Sequence, residues 1–119
     1  TDSFDGVVYK MNFNNSWSSV QGVEKWLDLS RTRTTPDGGC ISSDGRIFLA
    51  IWDGFKVLEL NLDGKLIEEF EVPIPRPTNC TLNTEENQLF ITSAYEGLSD
   101  HDRNQYPLSG SILTIDINT

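Results

Sequence analysis

A repeat of about 40 residues constrains the fold of this chain more than any other feature of its sequence. One copy begins at Pro36 and the next at Pro77, and Cys40 and Cys80 occupy equivalent places within them. Each copy consists of short segments with alternating apolar residues, the pattern of half-buried β-strands. A repeat of this length built from short strands is typical of a β-propeller blade. Because propellers contain roughly four to eight blades, the 119 residues correspond to about three blades, or half of a closed ring.

Turn signals divide the chain into these short strands. Asp44-Gly45, Asp53-Gly54 and Asp63-Gly64 separate apolar segments and predict a tight antiparallel meander. The proline-rich segment 73–77 cannot lie inside a sheet, so we predict that it crosses from one sheet to the next.

The pattern as a whole predicts an all-β chain. We expect one partial β-propeller domain over residues 1–119, with blade boundaries near residues 36 and 77 and four-stranded antiparallel meanders as the full blades. The last blade should stop after its third strand. The predicted strands are 6–13, 23–29, 39–42, 46–52, 55–62, 66–72, 77–82, 88–94 and 110–118.

The net charge of −9 argues against two classes of partner. Nucleic acid and anionic membrane surfaces are themselves negative and would be repelled. No apolar run approaches the roughly 20 residues of a membrane helix. A cation or a neutral small molecule is the partner that this charge favours.

Cys40 and Cys80 are the only cysteines of the chain. Two cysteines are too few for a disulfide framework, and neither has a Cys or His partner at metal-ligand spacing. We predict that both are reduced and buried, because each occupies the same position in a separate sheet. Cytoplasmic localisation is the expectation that follows.

Asp37 is the first candidate site residue. Pro36 has a fixed φ, and Gly38 and Gly39 can adopt angles that other residues avoid, so Asp37 is held on a defined bend. The corresponding position after Pro77 carries no acid, which indicates that the carboxylate is specific to one blade. At the channel mouth of a propeller it could bind a hard cation together with oxygen ligands from other blades. The alternative is ordinary turn chemistry.

Three further side chains are candidates for lining such a site. Trp52 ends a predicted strand beside a turn, which favours a rim position, and the alternative is the core packing that tryptophan more often adopts. Tyr95 and Glu96 occupy the equivalent end of the next blade, with simple surface exposure as the alternative. His101 lies in a polar stretch and is predicted to sit in a solvated loop, since no nucleophile motif accompanies it.

Four blocks of the sequence resemble one family. They are residues 36–41, 44–50, 92–99 and 106–113, and they occur in the order found in the gluconolactonase, senescence marker protein (regucalcin) and luciferin-regenerating enzyme family. The resemblance implies a six-bladed propeller and a metal-dependent lactonase. Because the chain begins with Thr1 in what resembles the end of a strand, it is expected to be the C-terminal half of such a protein.

The resemblance also implies a role for Asp37. In the family a divalent metal is bound at the channel mouth by one Glu, two Asn and one Asp, and the Asp of the Pro-Asp-Gly motif is also proposed as the catalytic acid/base. Asp37 is that residue here, whereas the Glu and both Asn would lie upstream of this chain. The cofactor of the intact protein would be Ca, Zn, Mg or Mn, and this fragment alone is expected to lack a complete site.

Two functional hypotheses follow. The first is a metal-dependent sugar-lactone hydrolase, with a small-molecule lactone as substrate and with neither nucleic acid nor membrane as partner. The second is a non-catalytic truncated propeller or binding module that completes its ring by self-association, with a homodimer supplying the missing blades.

Overall fold

The computed structural model describes residues 1–117. Within this range it contains nine β-strands and one short helix. The strands are β1 (Val7–Phe13), β2 (Val20–Asp28), β3 (Thr35–Ile41), β4 (Ile47–Trp52), β5 (Lys56–Leu60), β6 (Leu66–Glu71), β7 (Pro77–Leu82), β8 (Gln88–Ser93) and β9 (Ile112–Asp116), and the helix is α1 (Asp100–Gln105). The prediction of an all-β chain is confirmed. Asn118, the last residue of the final predicted strand, lies outside the described residues.

The strands of residues 1–117 form three antiparallel sheets. Sheet I pairs β1 with β2, sheet II contains β3, β4, β5 and β6 in chain order, and sheet III contains β7, β8 and β9. Sheet II is the four-stranded meander that the Asp-Gly turns predict. The crossing predicted for residues 73–77 connects β6 of sheet II to β7 of sheet III.

The three turns of sheet II use their glycines differently. Gly45 (φ 87°) and Gly64 (φ 79°) adopt the left-handed conformation that glycine favours. In the middle turn the positive angles fall instead on Asp53 (φ 58°) and Phe55 (φ 55°). Gly54 is required there for space, because a Cβ would collide with the side chain of the strand before it. All three dipeptides mark turns, but only two exploit the freedom of φ.

The core lies on both faces of sheet II. Because successive residues of a strand point to opposite faces, β4 contributes Phe48 to one cluster and Leu49 and Ile51 to another. The first cluster consists of Phe48, Val57, Val72, Ile74, Cys80, Leu89, Ile91 and Ile117. The second consists of Leu49, Ile51, Leu58 and Leu60, against which Val8, Trp26, Leu27 and Leu29 pack. Sheet II is therefore enclosed between sheets I and III.

The segment around His101 is a helix, which corrects the prediction of a loop. Ser99 caps α1, since its Oγ accepts a hydrogen bond from the backbone N–H of Asp102 at 3.1 Å. Asp100 and Asp102 in the first turn suit the positive end of the helix dipole. The helix buries none of its residues, so its sequence has no apolar periodicity from which it could be predicted. His101 is exposed on this helix. No helix of residues 1–117 has the length and apolar character needed to span a bilayer.

The two cysteines are free thiols with different surroundings. Cys80 is buried in the core between sheets II and III, whereas Cys40 is only half-buried. The prediction that both are buried is wrong for Cys40, because β3 is the edge strand of sheet II and is covered incompletely.

Candidate functional site

Asp37 lies in a β-bulge near the start of β3. Pro36 pairs with Ile51 of β4, and the next paired residue of β3 is Gly39, so Asp37 and Gly38 occupy the irregular step between them. An edge strand tolerates Pro36 because the missing N–H removes no ladder bond from a central strand. The structure thus places Asp37 inside a strand, whereas the sequence predicted a strand that begins only at residue 39.

The two glycines after Asp37 allow sheet III to approach the bulge. A Cβ on Gly38 would lie 2.5 Å from the Asn79 side chain and 2.8 Å from the carbonyl oxygen of Thr78, both in β7. A Cβ on Gly39 would collide with the carbonyl oxygen of Phe48 in β4. Contacts this short do not occur between real Cβ atoms and backbone, so only glycine fits. The bulge that presents Asp37 depends on this packing.

Asp37 and Trp52 line the same cavity. The cavity has a volume of about 460 Å³, and Ser3, Phe4 and Thr35 complete its lining. Thr35 is the direct cross-strand partner of Trp52, the last residue of β4. Ser3 Oγ donates a hydrogen bond to the carbonyl oxygen of Pro36 at 3.0 Å, which holds the N-terminal segment against the bulge. Sequence reasoning placed Asp37 at the channel mouth and Trp52 at a rim position but did not identify the other three residues.

Burial raises the pKa of the Asp37 carboxyl above its ordinary value. Removal from water disfavours the charged form, and a hydrogen bond from the backbone N–H of Gly38 offsets this in part. A carboxyl with a raised pKa holds its proton to higher pH than a solvated one does. It is therefore better suited to exchanging protons with a bound molecule near neutrality.

Arg76 connects the Asp37 cavity to sheet III. Its guanidinium lies 4.8 Å from the centre of the Trp52 ring, and its Nε donates to Asp53 Oδ1 at 2.6 Å. A second guanidinium nitrogen donates to the backbone carbonyl oxygen of Glu96. Sequence reasoning missed Arg76. The available signal was its position as the one charged residue of the proline-rich crossing, directly between two sheets.

We expect Arg76→Ala to lower the free energy of unfolding by about 1–3 kcal/mol, because a charged hydrogen bond and a cation–π contact are lost. Arg76→Lys should restore only part of this, since lysine lacks the planar fork that reaches two acceptors and the ring together. Urea unfolding measures both effects. Arg31→Ala removes an exposed arginine and should change stability by less than about 0.5 kcal/mol; an Arg76→Ala effect as small as this control would contradict the bridging role.

Tyr95 and Glu96 line a different cavity. It has a volume of about 390 Å³ and is lined by Ser93, Ala94, Tyr95, Glu96, Arg103 and Gly110. The Arg103 guanidinium of α1 lies 5.1 Å from the centre of the Tyr95 ring. The four predicted site residues thus fall on two cavities, with Arg76 as the link between them.

The residues around Asp37 do not form a complete metal site. Among residues 1–117 no group of three or more His, Cys, Asp or Glu side chains is close enough to hold a metal ion. The polar lining beside Asp37 consists of the Ser3 and Thr35 hydroxyls, whereas Ca²⁺ requires six to eight oxygen ligands. Asp37 can supply one carboxylate ligand, and within residues 1–117 no cluster of three or more acidic, histidine or cysteine side chains includes it.

A family comparison decides how this chain is related to known proteins. The family described as SMP-30/Gluconolactonase/LRE-like region matches residues 1–95, which include Asp37, Trp52 and Tyr95. The chain belongs to the SMP-30/gluconolactonase/LRE-like family. The family resemblance of its sequence blocks is therefore confirmed.

Two curated relatives illustrate how the SMP-30/gluconolactonase/LRE-like chain compares with longer proteins. Regucalcin from Gallus gallus is 28% identical over 116 residues, which cover 96% of this chain and 39% of that protein. The 6-deoxy-6-sulfogluconolactonase from Pseudomonas putida is 34% identical over 84 residues, which cover 70% of this chain and 29% of that enzyme. The chain spans less than half the length of each.

Two solved structures share the fold of the SMP-30/gluconolactonase/LRE-like chain. The calcium-binding protein regucalcin from Agrobacterium tumefaciens superposes with a TM-score of 0.89 at 24% identity. A luciferin-regenerating enzyme superposes with a TM-score of 0.83 at 19% identity. Each match covers 98% of this chain and 40% of the other. With the three successive antiparallel sheets, these neighbours confirm the prediction of β-propeller blades.

Proposed function

We propose that this chain carries part of the active site of a sugar-lactone hydrolase, with Asp37 as its acid–base residue. The observation that carries the proposal is a lone carboxyl with a burial-raised pKa, displayed by a bulge into a cavity beside Trp52. The 34% identity to a 6-deoxy-6-sulfogluconolactonase supports a lactone as the substrate class. The proposal concerns the whole protein, because this chain spans less than half the length of its relatives.

Asp37 would move one proton during ring opening. A water molecule attacks the lactone carbonyl carbon, and the Asp37 carboxylate accepts the proton that this water loses. When the bond between the carbonyl carbon and the ring oxygen breaks, protonated Asp37 returns the proton to the departing oxygen. The product is the open-chain hydroxy acid. General acid–base catalysis of this kind contributes roughly 10²–10⁴-fold to the rate, and a pKa closer to the working pH favours it.

A divalent cation is the cofactor we propose for the whole protein. The family neighbour from Agrobacterium tumefaciens is a calcium-binding protein, which supports Ca²⁺, with Zn²⁺, Mg²⁺ and Mn²⁺ as alternatives. Asp37 would provide one carboxylate ligand, and the remaining ligands would come from residues other than 1–117. Such a cation polarises a carbonyl group toward attack.

The aromatic wall of the site would be Trp52. The ring is half-buried and held from one side by Arg76, so it can present an apolar surface to the carbon skeleton of a sugar lactone at little cost in conformational entropy. We propose that Tyr95 and Glu96 contact the substrate from the neighbouring cavity. The net charge of −9 favours a neutral lactone or a cation over nucleic acid or an anionic membrane, and the two free thiols support a cytoplasmic location.

Hydrolysis of glucono-lactone by the whole protein that contains this chain, followed as acid release at constant pH, tests the proposal. We expect turnover to require an added divalent cation and to fall on chelation. Asp63→Asn, an equivalent change in an exposed turn, should leave the rate unchanged. Hydrolysis at the uncatalysed rate in the presence of each of the four cations would overturn the proposed activity for the protein tested.

Exposed apolar side chains favour the second candidate, a module that self-associates. Met11 and Val23 of sheet I are 53% and 56% exposed, and Ile112 of sheet III is 69% exposed. Unpartnered apolar surface on the two outer sheets is the feature that closure of a ring would remove. We propose that residues 1–119 supply three blades of six, with boundaries near residues 36 and 77, and that a second copy can supply the others in a homodimer.

We expect the solution mass of the isolated chain to be twice 13.4 kDa, because pairing would bury the apolar faces of sheets I and III. Sedimentation equilibrium over a range of concentrations measures this. Met11→Lys should weaken the association, whereas Lys65→Glu, an exposed change in a sheet II turn, should not. A stable monomer at all concentrations would exclude the homodimer.

A further inference from the structure

We propose that Cys40 and Cys80 form an oxidant-sensitive thiol pair, which a peroxide converts into a disulfide between two neighbouring sheets. This inference goes beyond the proposed lactone hydrolysis and does not depend on it. Cys40 belongs to β3, the first strand of sheet II, and Cys80 belongs to β7, the first strand of sheet III. The sequence places them in separate sheets, but the packing of the sheets brings these two strands together.

The contacts of β3 with β7 place the two cysteines on adjacent strands of neighbouring sheets. Strand β3 packs directly against β7, so closely that Gly38 has no room for a Cβ beside Asn79. Cys80 Sγ lies 3.5 Å from the carbonyl oxygen of Phe48. Phe48 is also the residue that pairs with Cys40 across β3 and β4. Both cysteines therefore flank one peptide group, and Cys40 packs against the core cluster that contains Cys80.

The two thiols differ in acidity and in exposure. Hydrogen bonding with Cys80 lowers the pKa of Cys40, although burial and the Glu86 carboxylate act in the opposite direction. The same contact, together with burial, raises the pKa of Cys80. Cys40 is also the more accessible of the two, half-buried where Cys80 is buried. Since the thiolate is the nucleophile, Cys40 is the residue that reacts first with an external oxidant.

The oxidation proceeds in two balanced steps with hydrogen peroxide as oxidant. The Cys40 thiolate attacks one peroxide oxygen, the O–O bond breaks, and the departing hydroxide takes up a proton to give water and a Cys40 sulfenic acid. The Cys80 sulfur then loses its proton and attacks the Cys40 sulfur, and the S–O bond breaks to release a second water. Two thiols are oxidised to one disulfide while one peroxide is reduced to two waters. A dithiol reductant reverses the link.

The disulfide would join the strand that carries Asp37 to the adjacent sheet. Cys40 lies three residues after Asp37 in β3, so oxidation would fix the spacing of sheets II and III next to the bulge. We expect the oxidised protein to unfold at a higher temperature than the reduced one, because the link restricts the unfolded chain. Addition of dithiothreitol should return the midpoint to its starting value.

Peptide mapping after peroxide treatment tests the proposal. Trypsin places Cys40 in peptide 34–46 and Cys80 in peptide 66–103, because the Arg76–Pro77 bond resists cleavage. We expect a linked pair of these peptides, lighter by two hydrogen atoms than their sum, in protein that migrates as a single chain in denaturing gels without reducing agent. The link should disappear after reduction.

Two single variants separate the steps. In Cys40→Ser, Cys80 should remain a free thiol, because it is buried and lacks its partner. In Cys80→Ser, Cys40 should stop at the sulfenic acid, which dimedone traps. Should Cys80→Ser fold poorly, brief iodoacetamide treatment of the native wild type supplies the same information, since Cys40 should be alkylated before Cys80. Two free thiols after peroxide treatment, or links only between different molecules through Cys40, would overturn the proposal.

Discussion

Asp37→Asn is expected to reduce lactone hydrolysis by about a hundred- to ten-thousand-fold, the range associated with loss of a general acid–base residue. Asparagine preserves the size of the side chain and can still accept the hydrogen bond from the Gly38 backbone N–H. It cannot accept or return a proton. Initial rates of acid release at saturating lactone and cation measure the change.

The same substitution is expected to stabilise the fold at neutral pH. Burial raises the folded-state pKa of Asp37 above 3.8, so the folded protein binds this proton more tightly than the unfolded chain does. The resulting stability is fully present below pH 3.8 and is lost as pH rises through the folded-state pKa. Above that pH, ionised Asp37 opposes folding whereas the neutral amide of the variant does not, so the variant should melt at a higher temperature.

Thermal unfolding of both proteins at neutral and acidic pH checks the sign. The advantage of Asp37→Asn should disappear below about pH 3.8, where Asp37 is protonated in both states. Asp63→Asn provides the matched control, because that residue is an exposed turn acid. A full hydrolysis rate in Asp37→Asn would remove Asp37 from the chemistry. A lower melting temperature at neutral pH would show that the carboxylate is structural.

Ile51→Ala is expected to lower the free energy of unfolding by about 2–5 kcal/mol, the range for truncating a buried aliphatic side chain. Ile51 is fully buried in β4, in the cluster shared by sheets I and II. It also pairs with Pro36 at the foot of the Asp37 bulge. Because a small domain is stable by only about 5–15 kcal/mol, this one change should remove a large part of that margin. Urea unfolding followed by circular dichroism measures it.

Ile41→Ala is the matched control for that experiment. It makes the same chemical change in the neighbouring strand β3, but Ile41 is 60% exposed. Truncation there leaves no cavity and should cost less than about 1 kcal/mol. Equal losses in the two variants would mean that sheet I does not cover this face of β4.

Several contacts at the site join different sheets and could not be predicted from the sequence. Arg76 stacks on Trp52 and reaches Asp53 and Glu96, which lie in the segments after β4 of sheet II and β8 of sheet III. The residues next to Arg76 in the sequence do not indicate which residues it contacts. Cys40 and Cys80 look like equivalent residues of separate repeats, yet Cys40 packs against the core cluster that contains Cys80, because β3 packs on β7. A repeat shows which positions correspond, but it does not show which of them touch.

Local chemistry explains what sequence reasoning did predict. The strands depend on alternating apolar residues, and the turns of sheet II depend on Asp-Gly pairs. The crossing at residues 73–77 depends on its prolines. All of these effects act within a few residues. The short helix α1 was not predicted, because it has a polar cap and no buried face that would produce a helical pattern of apolar residues. The half-burial of Cys40 was not predicted, because the burial of an edge strand depends on how far the neighbouring sheet covers it.

The sequence by itself determined that the chain forms antiparallel propeller blades, that it belongs with the gluconolactonase-like proteins, and that one blade carries a carboxylate on its Pro-Asp-Gly segment. These properties follow from short-range patterns and from motifs in the sequence. Only the tertiary structure decided that Asp37 sits in a bulge, that burial raises its pKa, and that Trp52 shares its cavity. The physical reason is that burial and contact depend on how whole sheets pack, through residues tens of positions apart.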